Sequence, residues 1–209
     1  MTDASPQPPP APADPADGDD AYHHGELRDA LIAAALTLLE GEGLAAFTLR
    51  GVCAKAGVSH TAPRNHFGDF AGLRAAVAAL GFERLGAAIR GALAAAGPAR
   101  ADVGDAAIHA YVDFAAGAPA LYQLMFEQGP LRDPRGPAAL AARDALRPFF
   151  AAAKGLEHTL RADPMEDGLS EGYYLWSLAH GHAQLAAAGA YGVMTPAAAS
   201  GEVIAPDGA

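Results

Sequence analysis

Between Leu49 and Phe67 the chain reads LRGVCAKAGVSHTAPRNHF, and few arrangements accommodate that stretch. Two short helical segments flank a turn that contains a glycine, the pattern of a helix-turn-helix. Counting Leu49 as the first position, the fifth is Cys53 and the ninth is Gly57. Two short helices that cross closely need a small side chain at the crossing, and Cys53 is small and apolar. The turn needs a backbone conformation costly for any residue with a Cβ, which Gly57 permits. Thr48 is placed to cap a helix over about 49–56, and Ser59 to cap a second through about Phe67. On that register Pro63 is the fourth helical residue and forfeits only the first intrahelical hydrogen bond. Val52, Val58 and Phe67 then face inward, while His60, Thr61, Arg64 and Asn65 face solvent.

Helical spacing continues on both sides, and no window sustains a period of two. Leu27, Leu31, Ala34, Leu38 and Leu39 form one apolar face of a first helix over roughly 26–40, ended by Gly41 and Gly43. Asp69 can cap a long helix, 69–96, with Phe70, Leu73, Val77, Leu80, Leu85, Ile89 and Leu93 inward. Gly81, Gly86 and Gly91 along it are either points of bending or points of tight packing. Breaks at Gly117-Ala118-Pro119, Gly129-Pro130 through Gly136-Pro137, and Asp163-Pro164 divide the remainder into helices near 101–117, 119–128, 138–161 and 166–189. The expected fold is all-α: a three-helix head (22–68), a long connecting helix, and a helical-bundle body (69–189). Residues 1–21 and 190–209 read as disordered tails.

Charge is unevenly placed. The net charge of −10 argues against a nucleic-acid partner until its distribution is considered. Residues 1–21 hold five acids and no Lys or Arg, so half of the net charge lies there. From Gly43 to Phe67 there is no Asp or Glu, while Arg50, Lys55 and Arg64 give that window +3. Local charge decides whether a nucleic-acid surface exists. Cys53 is the only cysteine, which excludes an intrachain disulfide and suits a reducing cytoplasm. The N-terminus has neither the basic start nor the apolar run of a signal peptide. The uncharged stretch between Glu171 and Glu202 has few large aliphatics, so it reads as a helix buried against other helices rather than a membrane span.

The residue types after the turn suit a major groove. Arg pairs with guanine, Asn with adenine, and Thr meets the thymine methyl. A helix start also offers free N–H groups to phosphate. The stretch TLRGVCAKAGVSHTAPRNHFGDFAGL, Thr48 to Leu73, resembles the DNA-binding head of tetracycline-repressor-like transcriptional regulators, and YHHGELR, Tyr22 to Arg28, resembles a common lead-in to their first helix. The resemblance implies phosphate contacts at Thr48 and Ser59 and base contacts early in the third helix. Arg50, Lys55, His60, Thr61, Arg64, Asn65 and His66 complete the expected DNA-binding set. Two positions depart from the family pattern. Its tyrosine is Arg64 here, whose guanidinium can replace the phosphate contact, and its following lysine is Phe70, which is expected to pack instead.

The body concentrates aromatic residues and Met: Tyr111, Phe114, Tyr122, Met125, Phe126, Phe149, Phe150, Tyr173, Tyr174 and Trp176. They either fill a core or line an apolar cavity. Family bodies bind a small effector between helices, and the resemblance therefore implies a pocket built from Tyr111, Phe114, Tyr122, Met125, Phe126, Phe149, Trp176 and His180. Trp176 to Gly181 resembles the Trp-x-x-x-His-Gly signature of one C-terminal domain type in the family. Trp176 and His180 share a helix face, His182 points elsewhere, and Gly181 allows a neighbour to approach. No metal site and no cofactor are expected.

These readings combine into a dimeric DNA-binding regulator, a repressor whose two third helices enter successive major grooves of a palindromic double-stranded operator about 34–36 Å apart. A small apolar or aromatic effector would tilt the long helix and change that separation. The uncharged helix 166–189 is the expected face of the homodimer. The alternative is a dimeric DNA-binding protein without an effector. Nothing resembles a nucleophile–base spacing, a phosphate loop or paired carboxylates in an apolar setting, so no enzymatic activity is expected.

Overall fold

The computed structural model describes residues 16–96, 100–127, 129–153 and 170–191. Their regular elements are all helical: α1 (Ala16–Glu42), a 3₁₀ turn (Leu44–Ala46), α2 (Leu49–Ala56), α3 (Ala62–Phe67), α4 (Phe70–Ala95), α5 (Arg100–Gly117), α6 (Pro119–Phe126), α7 (Pro137–Ala153) and α8 (Ser170–Ala187). α1 starts at Ala16, ahead of position 26 where the apolar spacing begins, and so takes in the Tyr22–Arg28 lead-in. The expected break at Asp163-Pro164 and the residues 190–209, apart from 190 and 191, lie outside the described residues.

Local chemistry sets most boundaries in the head. The Thr48 side chain accepts a hydrogen bond from the Gly51 N–H at 3.0 Å, and that of Asp69 accepts from the Gly72 N–H at 2.8 Å. Both are the expected caps. α2 ends with Gly57 at φ 70°, where the Val58 N–H donates to the Cys53 carbonyl at 3.0 Å and the Gly57 N–H to that of Ala54 at 3.3 Å. This pair of bonds satisfies two carbonyls that the helix end leaves open and needs the left-handed residue that glycine supplies.

The start of α3 differs from the expected one. Thr61, not Ser59, stands before the first helical residue, and the Ser59 hydroxyl pairs with that of Thr61 at 3.1 Å. Pro63 is the cause. A helix capped at Ser59 would need the residue 63 N–H to bond to the Ser59 carbonyl, and proline has none. That carbonyl accepts from the Ala62 N–H at 3.1 Å in a turn instead. Pro63 therefore becomes the second helical residue, where a missing N–H costs no intrahelical bond.

A single apolar cluster joins head and body. Leu31, Leu38, Leu39, Phe47, Val52 and Leu73 fill the head end; Val77, Phe82, Leu85, Ile89, Tyr111, Leu124, Met125 and Phe149 continue it through the body. α4 runs along this cluster, packed chiefly on α7 and α5 and also touching α1, α3 and α6. The glycines of α4 divide by environment. A Cβ at Gly81 would fall 2.6 Å from the Met125 sulfur, and one at Gly86 would fall 2.9 Å from the Ala145 Cα on α7, whereas one at Gly91 would meet nothing within 4 Å. Gly81 and Gly86 are points of tight packing, at which α6 and α7 close on α4.

Candidate nucleic-acid interface and body site

On the head, His60, Thr61, Arg64 and Asn65 are exposed together around the first turn of α3, as the spacing predicts. Pro63 beneath them is buried, and so are Val52 and Cys53 of α2. The buried proline and Cys53 fix the polar residues to the outer side. Arg50 and Lys55, on α2, are also exposed, and so are Thr48 and Ser59. No carboxylate among the described residues pairs with Arg50, Lys55 or Arg64; the ion pairs involve Arg28, Arg74, Arg84, Arg90 and Arg147. Three cations thus stand on one surface without an internal counter-charge. Thr48 accepts from Gly51 and keeps its own O–H proton for an outside acceptor. His66 parts from this group: it is half-buried, with its ring 6.3 Å from that of Phe67.

Phe70 packs, as expected for an aromatic residue in place of a cation. Its ring meets Phe47 edge-on at 5.4 Å, and the Arg74 guanidinium lies over both rings, at 5.5 Å from Phe47 and 5.7 Å from Phe70. Arg74 also forms a partly buried ion pair with Glu127 at the end of α6. This side chain ties the aromatic pair of the head to the body. Sequence reading missed it. Its position four residues after Phe70 is a visible signal, while Glu127, 53 residues away, leaves none.

In the body, six of the eight expected pocket residues come together around His180. Its Nδ1 lies 2.9 Å from the Tyr111 hydroxyl and 2.8 Å from that of Tyr122, which are 3.3 Å from each other. The Trp176 Nε1–H donates to the Tyr111 oxygen at 3.4 Å. Rings of Phe126, Tyr122, Tyr111 and Trp176 surround the imidazole with centroids at 4.6, 5.8, 6.2 and 6.2 Å, and Phe149 closes edge-on against Tyr111 at 5.9 Å. Phe114, partly buried, makes no ring contact with this group, and Met125 packs toward Gly81 on α4.

Two donors orient the group. Indole N–H can only donate, so the Tyr111 oxygen accepts from Trp176. The Gln184 amide nitrogen also only donates, so its 3.4 Å approach sets the lone pair of a neutral His180 on Nε2 and the proton on Nδ1, between the two tyrosine oxygens. Burial acts the same way, holding the His180 pKa below its ordinary 6.5 and raising both tyrosines. Gln184 was also not foreseen, although it stands one turn after His180. His182 points away, exposed, with Nδ1 2.7 Å from the Tyr191 hydroxyl. The Gly181 expectation fails within the chain: a Cβ there would meet nothing within 4 Å.

Tyr111, Met125 and Phe149 are fully buried, whereas Tyr122 and Phe126 reach an open volume. That volume, about 610 Å³, reaches from Gln184 to Leu44 of the 3₁₀ turn. Among the described residues no group of three or more His, Cys, Asp or Glu could hold a metal ion, and no helix is long and apolar enough to cross a membrane.

A helix-turn-helix head on a helical body, joined by one long helix, is the architecture of a DNA-binding regulator. Residues 104–205 match the tetracyclin repressor-like C-terminal domain. Among solved structures, a protein of unknown function from Rhodococcus sp. RHA1 is 33% identical, with 80% of this chain and 86% of that one covered and a TM-score of 0.64. The regulatory protein SCO4313 (18% identity, 85% and 92% coverage, TM-score 0.59) and the multidrug binding protein EbrR in complex with imidazole (20%, 76% and 83%, 0.52) share the fold. No curated protein matches the sequence. The chain belongs to the tetracycline-repressor-like family of transcriptional regulators.

Proposed function

We propose that this protein is a homodimeric repressor that binds a palindromic operator through α3 and leaves it when a small apolar or aromatic effector enters the body. The observation that carries the DNA half is the exposed set His60, Thr61, Arg64 and Asn65, which together with Arg50 and Lys55 presents three cations without an ion-pair partner among the described residues. Arg64 and Asn65 read bases or grip phosphate, while Thr48, Arg50, Lys55 and Ser59 hold the backbone. With three cations per protomer, a dimer neutralises about six phosphates, so log affinity falls with log salt at a slope of about −5.

Titrating the protein against its own upstream DNA at several salt concentrations tests this. Arg64→Ala should weaken binding at least about tenfold and reduce the slope by about 2. Unchanged affinity and slope would show that α3 is not the reading helix.

The dimer reading is supported by α8, where Leu178 and Leu185 are 49% and 48% exposed and Gly181 lies open between them. Positions 178, 181 and 185 share a helix face, and a second copy of α8 would cover it. Leu178→Glu with Leu185→Glu should give monomers in light scattering; an unchanged dimer places the interface elsewhere.

For the effector, the 610 Å³ volume beside Tyr122 and Phe126 is within the usual range for small-molecule sites. A ligand entering there reaches His180 by displacing Gln184, and the drug binding of EbrR is in keeping with such a body. The alternative, an effector-independent DNA-binding dimer, is favoured by the close packing of Tyr111, Phe149 and Met125, all fully buried. A thermal-shift screen of neutral aromatic compounds separates the two, because only a ligand-binding body gains stability. The single, buried Cys53 suits work in the cytoplasm.

A further inference from the structure

A second cleft, about 550 Å³, lies where the head meets the body, remote in composition from the His180 group. Arg28 of α1, His66 and Phe67 of α3, and Ala75 of α4 line the head side; Pro130 and Arg132 of the α6–α7 connection and Pro137 at the start of α7 line the other. The floor is apolar, and the polar groups at its edge are mainly cationic. Arg132 has no ion-pair partner among the described residues. Arg28 has only Asp29 at 3.9 Å, both side chains being well exposed, and its guanidinium lies over the Phe67 ring at 5.5 Å. Among the described residues the one carboxylate on the cleft, Asp133, is turned to the backbone, accepting from the Arg135 N–H at 2.9 Å.

We infer that this cleft is a second small-molecule site, for a compact amphipathic carboxylate. The two guanidinium groups receive the carboxylate, since a guanidinium fork matches its two oxygens. The aryl or alkyl part lies against Phe67 and Ala75, which are half-buried, and Pro137, which is exposed. Phe67 is the last residue of α3, and a Cβ on Gly72 would fall 2.0 Å from the Phe67 carbonyl oxygen, so α3 and α4 are closely joined there. A ligand in the cleft therefore bridges the rear of α3 to the α6–α7 connection without passing through the body site. Its consequence for operator binding rests on the function proposed above; its occupancy does not.

Calorimetry with 2-naphthoate and its neutral counterpart 2-naphthamide tests occupancy directly, with DNA absent. Naphthoate should bind saturably and the amide at least tenfold more weakly, because the ion-assisted bonds are lost. Arg132→Gln and Arg28→Gln should each weaken naphthoate at least tenfold, while His180→Ala should bind it as the unaltered protein does. Arg132 is exposed in a connection, so its variant carries the test even if Arg28→Gln disturbs α1. Absence of saturable binding, equal binding of the amide, full binding by Arg132→Gln, or loss confined to His180→Ala would each overturn the assignment.

Discussion

Replacing Gly86 and Gly91 by alanine, one at a time, tests whether α4 is a strut held by packing or a helix loosened by its glycines. Alanine is favoured over glycine in a helix by about 1 kcal/mol, and both positions lie within α4, so this gain is common to the two variants. They differ in what the new methyl group meets. At Gly91 there is nothing within 4 Å; at Gly86 the Cβ would stand 2.9 Å from the Ala145 Cα and 3.2 Å from its Cβ. A backbone atom cannot turn aside, so α4 and α7 must separate, and over-packing of this kind costs about 1–3 kcal/mol. Gly91→Ala should therefore be stabilised by about 1 kcal/mol, and Gly86→Ala should fall about 1–3 kcal/mol below it. Urea unfolding followed by circular dichroism measures both, and a domain of this size shifts its Tm by roughly 2–4 °C per kcal/mol. Because α4 and α7 pack closely along their length, Gly86→Ala should also alter operator affinity, whereas Gly91→Ala should not. If Gly86→Ala is stabilised as much as Gly91→Ala, the α4–α7 approach is not tight and the strut reasoning fails.

Three other perturbations address the site. Tyr111→Phe removes a hydroxyl that meets His180, Tyr122 and Trp176; with the indole N–H left without its acceptor, stability should drop by about 1–3 kcal/mol in the same unfolding assay. Lowering the pH should destabilise the protein through His180. Its folded pKa is held below 6.5 by burial, so its contribution is full above that value and is lost as pH falls from there through the folded pKa. His180→Asn should flatten this part of the stability–pH curve, and an unchanged curve would show that His180 is not the group responsible. A double-mutant cycle on Arg74→Met and Glu127→Gln should give a coupling of about 0.5–3 kcal/mol in unfolding, because the pair is partly shielded and Arg74 is also held by two rings; zero coupling would remove this tie between head and body.

The helical class, the two-helix unit around Gly57 and the caps at Thr48 and Asp69 were legible because each rests on bonds spanning a few residues. A hydroxyl or carboxylate reaching the N–H three positions ahead depends on little beyond the chain itself. The exposed quartet at the start of α3 was legible for a similar reason: along α3, helical spacing sets Arg64 and Asn65 apart from the inward Phe67. The site in the body was only half legible. Trp176, His180 and the aromatic residues could be named, but nothing in their order says that two tyrosines share one imidazole nitrogen, since the bonds span 58 and 69 residues. Whether such residues line a cavity or fill it depends on how closely α5, α6 and α8 approach, and here Tyr111, Met125 and Phe149 fill the core while Tyr122 and Phe126 also border open space.

By itself, then, the sequence determined the caps at Thr48 and Asp69, the break at Gly57, which face of the head carries its cations, and that Phe70 must pack, because local hydrogen bonds and periodic burial decide these. Tertiary structure alone decided that Pro63 is buried beneath the exposed residues of α3, and that Gly81 and Gly86 admit α6 and α7. It also decided that Arg74 answers Glu127 across the molecule, while Arg50, Lys55 and Arg64 have no ion-pair partner among the described residues. The physical reason is common to all: closeness between helices is fixed by what the facing surface offers, and that surface comes from residues far along the chain.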